Sequence, residues 1–156
     1  MPMIVKEAYE KLKKQYPQLP EFAVLDKEFE ISLIESEPQL LRQIKKKICE
    51  HADAVHELLE ELLQPESTSF GNLYEAKCFE ENERGQILEL YKKVMLILRE
   101  LDETVLVLDD NVDADFIRRA TQEWPNIRKS ALPFLKKLKE CWTKPAGARK
   151  FFDYMG

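Results

Sequence analysis

Residues 36–65 read SEPQLLRQIKKKICEHADAVHELLEELLQP. Leu41, Ile44, Ile48, Ala52, Val55, Leu59 and Leu62 recur in this stretch at steps of three and four. A helix turns once every 3.6 residues, so these positions share one face; a strand, with its period of two, scatters them over both. Ser36 to Gln39 has the form of an N-terminal capping box with Pro38 in the first turn, and Pro65 closes the run. The stretch predicts one long amphipathic helix.

The same period continues on both sides. Val5 to Tyr16 reads as a first helix, ended by Pro17 and Pro20, and residues 20–34 as a shorter one with Phe22, Leu25, Phe29 and Leu33 apolar. Residues 65–69, PESTS, read as a loop before a short helix over Phe70–Phe79. Asn82 to Leu108 is the most apolar helix. Its stripe is Ile87, Leu90, Tyr91, Val94, Leu98, Leu101 and Val105, widened by Met95, Leu96 and Val107. Such a helix is expected at the centre of a bundle or under a partner, and self-association as a homodimer fits it. Asp109–Asp115 reads as an acidic connector in which Asp113 caps the last segment. In that segment Phe116, Ala120, Trp124, Ile127, Ala131, Phe134, Leu138 and Cys141 keep one register through Pro125 and Pro133, which fall on the opposite side of the wheel. The fold class expected is all-α: an antiparallel bundle of about five to six helices, the last kinked at Pro125 and Pro133. Residues 1–144 form its single domain and residues 145–156 a C-terminal aromatic tail.

Composition narrows the class. The chain has 156 residues, 44% of them hydrophobic and 34% charged, enough for one core. The longest apolar run, Val94–Leu98, is far too short for a membrane span, and the N-terminus lacks a signal pattern. A cytoplasmic protein is expected. Cys49, Cys78 and Cys141 are odd in number, far apart and without a C-x-x-C pair, which suggests neither a disulfide framework nor a zinc site.

The residues that resemble chemistry fall short of it. His51 and His56 are five apart, so they sit on opposite edges of the apolar stripe and cannot share a small site. Cys49, Asp53, His56 and Glu60 do share an edge, but a metal there needs ligands from another helix, and only Asp53–His56 has Glu-x-x-His spacing. Asp109, Asn111 and Asp113 match the first ligands of a calcium loop; Ala114 and Ala120 then stand where its Gly and Glu are required. Cys49 and His56 lack an oxyanion hole, and no phosphate-cradling glycine loop or nucleophile elbow is present. The expectation is a non-enzymatic protein with no metal and no cofactor.

Charge is the asymmetric feature. Residues 116–150 carry ten Lys/Arg against Glu123 and Glu140, a net of +8, while residues 1–115 carry 14 against 26, a net of −12. A basic last helix either balances acidic neighbours within the bundle or meets an acidic partner. On the wheel Arg118, Arg119, Lys129, Lys136 and Lys137 lie away from the apolar stripe, with Arg128 and Lys139 at its border. Beyond the joint Pro145-Ala-Gly-Ala, Arg149 and Lys150 precede Phe151, Phe152 and Tyr154. Rings this close to a chain end are expected to dock, on the bundle itself or on a partner. The tail is not a sliding-clamp docking peptide, because Pro145 and Ala148 stand where that motif needs Gln and an aliphatic residue. The function expected is an α-helical adaptor that binds a protein partner through the basic helix and the tail. The alternative is a nucleic-acid-binding accessory protein with the same cations on phosphates. Trp124, Phe134 and Trp142 are expected in the core, which argues against base stacking.

Overall fold

Each interruption of the helical period is a place where the chain turns. The structure, a computed structural model, describes residues 2–35 and 38–144. It contains α1 (Pro2–Gln15), α2 (Phe22–Phe29), a 3-10 turn (Ile31–Leu33), α3 (Leu40–Leu63), α4 (Phe70–Ala76), α5 (Glu81–Val107) and α6 (Asp110–Cys141). The described residues form an all-α bundle. The central helices α3, α5 and α6 pack on one another, and α1, α2 and α4 cover their ends and flanks.

Cross-helix bonds give the directions. Lys45 near the start of α3 meets Thr104 near the end of α5, and His56 further along α3 meets Tyr91 earlier in α5. Likewise Arg119 of α6 faces Glu100 and Lys137 faces Glu83. Both pairs of helices are therefore antiparallel. The core gathers Ile44, Ile48, Leu59, Ile87, Val94, Phe116, Ile117 and Ile127, all fully buried. Burial of an aliphatic or aromatic side chain of this kind contributes about 1.5–3 kcal/mol.

Several boundaries differ from the sequence reading. The stretch 20–34 is not one helix: Glu30 takes the left-handed conformation, φ 56°, ends α2 and starts the 3-10 turn. The third helix begins at Leu40, after Gln39 at φ 57° with no side-chain cap; Ser36 of the expected capping box lies outside the described residues. Asp109, not Asp113, caps α6, its carboxylate accepting the Asn111 N–H at 2.8 Å. The acidic stretch is thus the first turn of α6, where its charge meets the positive end of the helix dipole. Leu108, φ 59°, makes the sharp reversal from α5.

The stripe foreseen for α5 holds as far as Leu101, which packs against the core, and fails at Val105. Val105, Leu106, Val107 and Leu108 are all exposed, Leu106 at 83% and Leu108 at 78%. The last turn of α5 keeps Thr104 buried against Lys45 of α3 while its apolar residues face solvent. By contrast α6 stays one helix of 32 residues through both prolines. Pro125 is half-buried and Pro133 exposed, so neither ring interrupts the core. Each removes one backbone hydrogen bond, yet the helix runs on unbroken.

The cysteines also correct the sequence reading. Cys78, just after α4, and Cys141, the last residue of α6, form a disulfide with Cα atoms 6.4 Å apart. Their separation of 63 residues hid the pair; only the packing of α4 against the end of α6 brings them together. Cys49 is the free thiol.

Candidate functional site

The candidate surface is the outer side of α6, and the structure sorts its cations into two groups. Arg128 makes a bidentate bond to Glu28, both nitrogens at 2.7 Å, and the Glu28 carboxylate is buried. That carboxylate holds the Arg128 guanidinium in its charged form and raises its pKa. Arg119 faces Glu100 at 3.7 Å. Lys137 bonds Glu83 and stands 5.3 Å from the Phe79 ring centroid; the contact pulls the Glu83 carboxyl below its usual range. Arg118 is half-buried, and its Nε is closed off from water without a hydrogen-bond partner. Four of the basic residues are therefore engaged with, or enclosed by, the bundle.

Lys129, Lys136 and Lys139 form the second group. All three are exposed, and none has an ion pair among the described residues. They fall within about 80° of the α6 circumference at about 100° per residue. Leu132 lies between them and Leu135 borders them, exposed at 49% and 44%. The result is a basic face with an apolar ridge. Of the cations expected at the site, Lys129 and Lys136 belong to it, whereas Arg118, Arg119 and Lys137 are set apart. Arg149, Lys150, Phe151, Phe152 and Tyr154 lie outside the described residues. Leu132, Leu135 and Lys139 were missed as site residues. The signal was present for Leu132, which stands about 80° from Trp124 at the edge of the buried stripe, whereas Leu135 lies only about 20° from it and reads as a stripe residue.

An aromatic platform sits where α6 ends. Trp142 is 52% exposed, contrary to its expected place in the core. Its ring lies 4.7 Å from that of Tyr74, which in turn stacks on Phe70 at 6.2 Å. The platform is fixed from three sides. Trp142 Nε1 donates to Glu75 at 2.9 Å, the Tyr74 hydroxyl donates to the Cys141 carbonyl at 2.9 Å, and Cys141 is bonded to Cys78.

The groups weighed for chemistry are occupied otherwise. His56 bonds the Tyr91 hydroxyl at 3.1 Å and Glu60 at 3.2 Å, while His51 bonds the Lys47 carbonyl at 2.9 Å and sits against Phe29 and Trp124. The Cys49 thiol donates to Asp53, and burial, followed by that carboxylate, pushes its pKa up to about 11. A thiol held protonated is a poor nucleophile. Asp113 turns inward to Lys45 at 2.9 Å, so Asp109, Asn111 and Asp113 do not converge as calcium ligands. Lys45 also donates to Thr104 at 3.1 Å, at the floor of a cavity of about 640 Å³ walled by Leu101, Val105 and Leu108. No group of three or more His, Cys, Asp or Glu among the described residues is placed to hold a metal ion. No helix among them is long and apolar enough to cross a membrane. No family model, curated protein or solved structure matches the chain.

Proposed function

We propose that the protein is a non-enzymatic helical interaction module, and that Lys129, Leu132, Leu135, Lys136 and Lys139 receive an acidic amphipathic helix of a protein partner. The observation that carries this reading is the sorting of cations along α6. The bundle neutralises or encloses Arg118, Arg119, Arg128 and Lys137, and leaves the three lysines beside exposed leucines without an ion pair among the described residues. Exposed leucines offer little to a phosphate backbone. They suit a helix that presents carboxylates around its own apolar residues, which is how helices dock in grooves and on faces. Electrostatic complementarity then supplies orientation and association rate more than affinity.

Nucleic acid is the second reading, favoured only by the same three lysines. A titration separates the two, using as probes a Glu-rich helical peptide with leucines at i, i+4 spacing and single- and double-stranded DNA. The peptide is expected to bind the wild-type chain. Binding should be lost in Lys129→Glu/Lys136→Glu/Lys139→Glu and reduced in Leu132→Ser/Leu135→Ser. DNA binding that falls steeply with salt and ignores the leucines would overturn the protein reading. A homodimer through the same face is a weaker proposal, since three lysines opposite their own copies repel. Cytoplasmic placement also stays a proposal, and it conflicts with the Cys78–Cys141 bond, because disulfides persist in oxidising compartments.

A further inference from the structure

We infer that the cavity between the start of α3, the end of α5 and the first turn of α6 binds an aliphatic carboxylate. The chain would lie on Leu101, Val105 and Leu108, and the head on Arg42, Lys46 and the buried Lys45. The volume, about 640 Å³, falls in the range of about 300–1,000 Å³ common to small-molecule sites.

The first observation is the apolar wall. Leu101 reaches from the cavity to the core, whereas Val105 and Leu108 are exposed at 53% and 78%. Leu108 is also the residue that ends α5, at φ 59°. A helix stop of this kind favours Gly or Asn, and a branched apolar side chain there is uncommon. The leucine is held in a disfavoured backbone conformation and yet packs little against its own bundle. Cover from an aliphatic chain gives that side chain a role, because apolar surface gains by leaving water.

The second observation is charge. Arg42, Lys45 and Lys46 line the cavity together with Asp110 and Asp113. Both acids are engaged: Asp113 holds Lys45 at 2.9 Å, and Asp110 accepts the Tyr16 hydroxyl at 3.2 Å. Arg42 and Lys46 are exposed and have no ion pair among the described residues. Arg42 donates to the neutral Gln39 side chain at 3.1 Å, which leaves most of its guanidinium for a ligand. The Lys45 side chain is 8% exposed, and its ammonium keeps an N–H beyond those given to Asp113 and Thr104. A carboxylate beside these groups makes charge-assisted hydrogen bonds, the strong kind, while an alkylammonium would face three like charges. None of these residues belongs to the Lys129–Lys139 face, so either site can be lost without the other.

The test uses Cys49 as reporter, because it lines the same cavity and is the chain's unpaired thiol. At about pH 9 enough of the thiol ionises for iodoacetamide to alkylate it, and mass spectrometry of the full chain follows the rate. Near saturation, decanoate is expected to slow alkylation about tenfold, because only the open fraction of the protein reacts. Decanol lacks the head and acetate lacks the chain; each is expected to leave the rate within about twofold of the ligand-free value. Arg42→Glu/Lys46→Glu changes two exposed positions. It is expected to lose the protection by decanoate, measured against its own ligand-free rate, with helical circular dichroism intact. Should that variant lose its helical signal, Val105→Glu sets a carboxylate in the wall instead and is expected to abolish protection in the same way. An alkylation rate that decanoate leaves unchanged overturns the inference. So does equal protection by decanol, which would make the cavity a site for any apolar chain, and so does protection by acetate, which would make the chain irrelevant.

Discussion

The two halves of α6 share one helix and serve different ends. Over residues 110–128 the helix buries Asp113, Ala114, Phe116, Ile117, Ala120, Thr121, Trp124 and Ile127, and Arg119 and Arg128 pair with acids of α5 and α2. Over residues 129–141 it buries Ala131, Leu138 and Cys141, pairs Lys137 with Glu83, turns two leucines outward and leaves Lys129, Lys136 and Lys139 without an ion pair among the described residues. The first half lies against α2 and α5, whose Glu28 and Glu100 stand within reach of Arg128 and Arg119, and it encloses Arg118 without a partner for its Nε. The second half pairs only Lys137, with Glu83, and turns Lys129, Lys136 and Lys139 to solvent, which is what supports the proposed binding face. A run of basic residues is therefore no uniform surface: burial of the neighbouring positions decides which charges the fold has already used.

The comparison breaks most visibly at Trp124. It packs against Phe29 at 5.6 Å and His51 at 6.4 Å between ring centroids. Trp124→Ala is expected to lower stability by about 3–5 kcal/mol, read from the midpoint of urea unfolding. A loss below about 1 kcal/mol would show that the first half is not the anchored one.

Next comes the disulfide, which ties the sparsely buried half to the α4–α5 connection. Closing a loop of this length stabilises by about 4 kcal/mol in the chain-entropy description, and measured values commonly run lower. Cys141→Ser is expected to cost about 2–4 kcal/mol. Hydrogen exchange should rise first in the last turns of α6 and in α4, while residues around Phe116 stay protected. Uniform loss of protection along α6 would make the two halves one cooperative unit.

The smallest effect sharpens the contrast. Leu132→Ala/Leu135→Ala is expected to leave stability within about 0.5 kcal/mol of wild type, because about half of each residue is already in water. A loss of more than about 2 kcal/mol in the same unfolding assay would place these leucines in the core and remove them from the binding face.

Much of this molecule follows from local pattern. The three- and four-residue steps of α3 and the buried stripe of α6 fixed two central helices, and prolines marked the end of α1 and of α3. Such features depend on residues within a turn or two of one another, so the sequence alone determines them.

Tertiary structure decided the rest. It joined Cys78 to Cys141, drew Asp113 from a helix cap to a buried bond with Lys45, exposed Trp142 and the end of α5, and divided the α6 cations into paired and unpaired. Each of these depends on which residues, distant in sequence, face the group across a helix contact. Helical periodicity gives the direction in which a side chain points. What it meets there is set by the neighbouring helix, and that is why the candidate face became visible only after α2 and α5 had claimed Arg128, Arg119 and Lys137.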